Sequence, residues 1–456
     1  MRKETISVRY APKKSYVSTR NACKLCSPLG ASIAFRGVEG CIPLIHGSQG
    51  CATYIRRYVI SHFREPIDIA SSNFSESSAI FGGGENLKGA LDNVIRQYQP
   101  AVIGVATTCL SETIGDDVTR YIEEYRQTHE TQTPPIIHAS TPSYSGTHME
   151  GFRTAIYSII GQLAEGGGRE TRVNIISSLL SAEDLRYIKE IVESFGISYT
   201  LLPDYSETLD GESWDEYHKV PQGGTPVESI RRMGCAAGTI ELGSGVPDAK
   251  SGSKFLNEKF SVPAHQMSIP IGIDASDKFF GILEEIAGRK MSERYAKERG
   301  RLVDAYIDAH KYLFGAKVML YGEADLVAGI SSFLAEIGVK VVLCATGARR
   351  SEIPQNLADE LAAHNAILSD DTDFATMLER AKDLSPDIII GSSKGFYLSK
   401  NLGVPLVRCG FPIHDRFGGQ RVLHVGYRGT MQLLDRIVNA ILGARQRANP
   451  VGYSYM

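Results

Sequence analysis

The chain contains no apolar run approaching the roughly 18 residues that suggest a membrane span. No apolar segment follows its charged opening, MRKETISVRYAPKK, so no secretory leader is expected either. Neither charge is in strong excess. Lys and Arg number 49 against 52 Asp and Glu, a net charge of −3, without the basic balance of a nucleic-acid-binding protein. GxxxxGK followed by Ser or Thr is missing, so nothing predicts a phosphate loop or ATP hydrolysis on this chain. The glycines Gly82–Gly84 follow no convincing strand and do not make a dinucleotide fingerprint. No Ser-His-Asp or HExxH arrangement supports hydrolysis. Eight cysteines in 456 residues are too few for a disulfide scaffold. These absences leave a soluble, intracellular, multi-domain protein as the expectation, with no membrane or nucleic-acid partner.

Hydrophobic residues make up 43% of the chain and charged residues 22%, an ordinary globular balance. Short β-branched runs alternate with helical stretches. Ala101–Thr108, Pro135–Ser140, Arg172–Ser178, Gly238–Gly243, Lys317–Gly322, Lys340–Gly347, Asp387–Ser393 and Pro405–Gly410 read as strands. Their near-continuous apolarity fits strands buried on both faces, as in parallel sheets. Ala324–Gly338 has helical spacing closed by a glycine, and a long helical stretch covers Ser292–Leu313. The alternation predicts an α/β fold with mostly parallel sheets. Three units are expected, over residues 1–166, 167–290 and 291–456. In such sheets, ligands gather at the loops after the C-terminal strand ends. TTCLSETIGDD and STPSYSGTH occupy such positions.

Five of the eight cysteines, Cys23, Cys26, Cys41, Cys51 and Cys109, fall in the first 109 residues. Cys235, Cys344 and Cys409 read as buried small hydrophobes. The CxxC of Cys23 and Cys26 is half a zinc site, with no second CxxC to complete it. Cys51 ends a glycine-bracketed loop, HGSQGC, and Cys109 lies just past a strand. Three thiolates from separate segments suit a polynuclear iron–sulfur cluster. Ser48, Thr107 and Thr108 offer hydroxyls to its sulfides. On spacing alone, three unrelated buried thiols remain an equal alternative. His46 and His62 read as structural histidines, and Arg64 with Glu65 as a local charge pair.

The motifs HGSQGC, HFREP, FGGGENLK, TTCLSETIGDD, TPSYSG, GFPIHDR and GYRGTMQL together resemble the nitrogenase component 1 family, on its β side, from about Asn21 to Leu442. The resemblance implies three Rossmann-like domains and an α2β2 assembly with a homologous α-type subunit. It implies an [8Fe-7S] P-cluster shared across each αβ interface, with Cys26, Cys51 and Cys109 as this chain's ligands. A family serine that sometimes ligates the oxidised cluster maps to Thr147. An aromatic on the surface where the ATP-hydrolysing Fe protein docks maps to Phe81. A larger iron–sulfur cofactor is expected in the α-type partner, which places the substrate-reducing site off this chain. A cytoplasmic location likewise follows only from the family resemblance.

Within the family, all three cysteines favour a P-cluster-type site. LLPDYSETLDG, the Gly223–Gly224 pair and FGGQRVLHVGYRG lean instead toward the cofactor-assembly scaffold. Ser27-Pro28 stands where dinitrogenase typically has Gln-Pro. This mixture most resembles the nitrogenase-like methylthio-alkane reductases, which cleave C–S bonds. Dinitrogenase β subunit and the non-catalytic assembly scaffold are the alternatives.

Overall fold

A computed structural model of the protein describes residues 8–11, 21–129, 133–216 and 218–451. Its strands form three sheets, parallel at every named pairing. The first sheet sets Ala70–Ser71, Cys41–His46, Val102–Thr107 and Ile136–Ala139 side by side. The second orders Ser198–Leu202, Glu170–Ile176, Ala236–Leu242 and Ala264–Met267. The third is centred on Lys317–Gly322 and Lys340–Thr346. Among the described residues, no helix is long and apolar enough to cross a membrane.

The predicted strands all occur, with ends shifted by up to two residues; Lys317–Gly322 keeps both ends. Cys41–His46 and Val102–Thr107 are buried at every position, as expected where helices cover both sheet faces. The helix Glu293–Leu313 starts after Ser292, and Ala324–Glu336 is closed by Gly338 at φ +72°. The strand Cys41–His46 was not foreseen, because Pro43 breaks its run and proline is disfavoured inside a sheet. It nevertheless lies between two neighbours.

One connection departs from a linear division into three units. Arg9–Tyr10 adds to the third sheet beside Ile367–Ser369. From Asn21 to Lys24 the chain lies along the third sheet's loops before entering the first unit. Cys23 N–H donates to the Thr372 carbonyl at 3.0 Å. Lys24 pairs with Asp371 at 2.7 Å, and Lys394 Nζ donates to the Ala22 carbonyl at 2.6 Å. The segment leading to Cys26 is thus tied to the unit most distant in sequence.

The helix Ser27–Arg36 is buried at every residue and packs on His148–Leu163. The approach is close enough to require glycine on both sides. A Cβ on Gly30 would lie 1.6 Å from the His148 carbonyl oxygen, and one on Gly151 would lie 1.9 Å from that of Ser27. This contact fixes the N-terminus of the buried helix, and with it Cys26.

Candidate functional site

Parallel register pairs His46 with Thr107, so two adjacent strands end together. Each runs into a helix. Ser48 is the N-cap of Gln49–Phe63, and Thr108 caps Cys109–Thr113 with its side chain accepting from Ser111 N–H. Cys51 therefore sits in a first helical turn, where a loop end was expected, and Cys109 opens its helix. Cys26 is itself the N-cap of Ser27–Arg36. All three thiols stand at helix N-termini. Unpaired N–H groups and the helix dipole there favour negative charge, which suits an anionic cofactor.

All eight cysteines are free; Cys26 and Cys51 are half-buried and Cys109 is exposed, while the other five are buried. Burial pushes the Cys26 thiol up to about 11, the Leu29 amide pulls it back, and the neighbouring Cys51 and Cys109 sulfurs add to the rise. The three sulfurs thus sense one another. Bound metal would reverse the effect, since a coordinated thiol is deprotonated. Among the described residues, no His, Cys, Asp and Glu side chains gather closely enough to hold a single metal ion. Tyr54 and Leu110, beside Cys51 and Cys109, are also exposed, at 42% and 39%, so this face is open to solvent.

The hydroxyls divide by role. Ser48 Oγ lies 3.6 Å from Cys51 Sγ as a donor. Thr107 is committed elsewhere, donating to Glu112 at 2.5 Å and accepting from Thr141 N–H at 2.8 Å. Thr108 is spent on its cap and on the His46 carbonyl, 3.1 Å away. Thr147 is buried and caps His148–Leu163, its Oγ1 accepting from Met149 N–H at 3.2 Å. The residue of that loop in contact with a candidate thiol is Ser143, which the sequence reading passed over. Its N–H donates to Cys109 Sγ at 3.2 Å, and its Oγ accepts from Ser27 N–H, next to Cys26, at 3.2 Å. The available signal was its place in STPSYSGTH, directly after the strand Ile136–Ala139.

His46 and His62 are structurally occupied. His46 Nε2 is 3.1 Å from Asp116, and His62 Nδ1 accepts from Ile413 N–H at 2.8 Å. Arg64 donates to the His414 carbonyl at 3.0 Å and forms no local pair with Glu65. Phe81 ends the short helix Glu76–Phe81 and is 87% exposed, with Ile80 at 75%. Its side chain does not cap a core.

Three parallel α/β units, with free thiols at three helix N-termini, are the fold and the candidate site of this chain. The family described as nitrogenase component 1 type oxidoreductase matches residues 26–442. The chain belongs to the nitrogenase component 1 family, as a β-type subunit. It is 37% identical to the nitrogenase molybdenum-iron protein beta chain of Clostridium pasteurianum, over 94% of each chain. It is 34% identical to the iron-molybdenum cofactor biosynthesis protein NifN of Nostoc sp., covering 93% of this chain and 94% of that protein. A solved structure, nitrogenase Cp1 at pH 6.5, superposes with a TM-score of 0.93 at 34% identity, over 98% of both chains.

Proposed function

We propose that this chain is the β-type subunit of a nitrogenase-like two-component reductase. In this reading Cys26, Cys51 and Cys109 hold one side of an [8Fe-7S] P-cluster, shared with a homologous α-type subunit in an α2β2 assembly. The observation that carries it is the set of three free thiols at helix N-termini on an open face. The bound cluster would supply one-electron transfer. The chain's own residues hold it, donate N–H and O–H groups to its sulfur ligands, and shield one side from water. Such donors and the local dielectric tune cluster potentials. Ser143 takes the redox-dependent ligand role that the resemblance gave to Thr147, because its backbone N–H donates to Cys109 Sγ and its Oγ accepts from Ser27 N–H, beside Cys26, whereas the Thr147 hydroxyl caps a helix.

An Fe protein docking at Phe81 would deliver the electrons, and a larger cofactor in the α-type partner would receive them.

For the reaction we favour C–S cleavage of methylthio-alkanes. The chain stands nearly as far from dinitrogenase beta chains, at 37% identity, as from NifN, at 34%, while keeping all three thiols. The test is anaerobic co-purification with the α-type subunit, then iron analysis and reduction assays with Fe protein and ATP. Ethyl methyl sulfide yielding hydrocarbon supports the reading. Ammonia from dinitrogen makes the complex a dinitrogenase. Release of a cofactor precursor without turnover makes it an assembly scaffold.

A further inference from the structure

The glycines Gly82–Gly84 are explained neither by a phosphate loop nor by the cysteine site. The structure shows what they approach. Gly82 has φ +92°, a backbone state that favours glycine. A Cβ on Gly83 would lie 2.2 Å from the Phe74 ring and 2.8 Å from Asp116 Oδ2. The backbone just after the exposed Phe81 is therefore pressed onto a carboxylate. Gly83 N–H donates to both Asp116 oxygens, at 3.0 and 3.2 Å.

The Asp116 side chain is only 2% exposed and that of His46 is fully buried; Nε2 lies 3.1 Å from Oδ2. Burial pulls the imidazole below its ordinary value, against the opposing pull of Asp116, so the ring carries one proton at neutral pH. The far nitrogen, Nδ1, lies 3.1 Å from Ser72 Oγ, and that oxygen accepts from Gly47 N–H at 3.0 Å. One tautomer satisfies every group. His46 Nε2–H donates to Asp116, Ser72 O–H donates to His46 Nδ1, and Gly47 N–H donates to Ser72. Gly47 immediately precedes Ser48, whose hydroxyl faces Cys51 Sγ. A Cβ on Gly47 would also lie 2.3 Å from Thr108 Oγ1, next to Cys109.

We propose that Asp116, His46 and Ser72 form a positioning relay, which couples the surface at Phe81 to the aim of Ser48 on the Cys51 sulfur. Occupation of the Phe81 surface moves the Gly82–Gly83 backbone. Asp116, His46 and Ser72 pass that displacement to Gly47 and alter the hydrogen bond at the thiolate. Buried networks of this kind move as a unit, because each member leaves an unsatisfied group if it moves alone. No residue of the relay is one of the three candidate ligands, and no proton needs to be transferred along it. The proposal rests on the docking and cluster readings given above.

The test uses the anaerobic αβ complex with its Fe protein held in a stable nucleotide-bound state. Fe protein affinity, iron content and the reduction potential of the cluster are measured with and without docking. In the unsubstituted complex, docking shifts the potential. Ser72→Ala binds Fe protein within twofold of the unsubstituted complex and keeps its iron, but loses at least half of that shift; Ser72→Thr restores it. If Ser72→Ala does not assemble, His46→Gln interrupts the same chain and is read in the same way. Two results overturn the relay: no docking-induced shift in the unsubstituted complex, or a full shift in the interrupted variants. Phe81→Ala separates the underlying reading. If it leaves affinity unchanged, docking at Phe81 is wrong and the relay falls with it. If it abolishes binding while Ser72→Ala keeps the full shift, the relay alone is wrong.

Discussion

The amide of Ser143 points at the sulfur of Cys109, 3.2 Å away, although 34 residues separate them. A strand end and a cysteine helix meet there, and Ser27 N–H closes the contact on the far side at 3.2 Å. This separates two hydroxyls that look equivalent in STPSYSGTH. Thr147→Ala removes a helix cap and is expected to cost about 1 kcal/mol of stability, leaving the cluster spectrum unchanged. Ser143→Ala is expected to leave the melting temperature nearly unchanged and to alter the EPR signal of the oxidised cluster. Thermal melts and redox-poised EPR on both variants check this.

Cys109 is the most exposed of the three candidate ligands, so replacing it disturbs packing least. Cys109→Ala is expected to yield a folded subunit that pairs with its partner but carries less iron. Iron analysis beside circular dichroism makes the check. A full cluster with full activity would overturn the ligand assignment.

Phe81→Ala is expected to weaken Fe protein binding by about 2 kcal/mol, roughly thirtyfold in affinity, the scale of an aromatic interface anchor. Iron content should not change. Titration of the complex with Fe protein measures it.

Gly151→Ala places a methyl group against the Ser27 carbonyl, in a contact with no slack. Overpacking of this kind costs about 1–3 kcal/mol. Because the displaced helix begins at Cys26, iron retention should fall together with the melting temperature. Gly281→Ala, where a Cβ would meet nothing within 4 Å, serves as the control.

Stability should also depend on pH through His424 and Asp184, which lie 2.9 Å apart and buried. Burial alone would depress the imidazole, but the Cys409 sulfur and the Asp184 carboxylate outweigh it and push His424 up to about 10, from an ordinary 6.5. The folded state therefore holds a proton that the unfolded chain releases. The stabilisation is complete below about pH 6.5 and is lost as pH rises through about 10. At the acid end, burial would raise Asp184, but His424 and backbone amides outweigh it and hold it low. Its share persists until pH falls below the ordinary carboxylate range. Melting temperatures measured between pH 6.5 and 10 should fall more steeply for the unsubstituted chain than for His424→Gln.

What could be read from sequence follows from where the physics is local. Lys317–Gly322 is a continuous apolar run flanked by turn residues, and both its ends were found. Cys41–His46 was missed because Pro43 obscures it, although tertiary context keeps it inside the sheet. Cys51 was taken as the end of a loop because its glycines suggested one; the helix begins two residues earlier, after the Ser48 cap. Cys26, Cys51 and Cys109 could be singled out as candidates because thiols are few and their motifs specific. That Thr147 caps a helix while the Ser143 amide meets Cys109 could not be read there, since both depend on tertiary contacts. Nor could the Asp116–His46–Ser72 chain, whose members come from three separate segments.

The stitching of the Cys26 segment onto the third sheet has a consequence for biosynthesis. Lys24 meets Asp371 across 347 positions, and Lys394 holds Ala22 across 372. While the ribosome is still translating the middle of the message, the nascent chain can already seat Ser27–Arg36 on His148–Leu163, but the ties of Ala22 and Lys24 wait for Lys394 and Asp371. Translation products that end before Asp371 would therefore carry all three thiols without those ties.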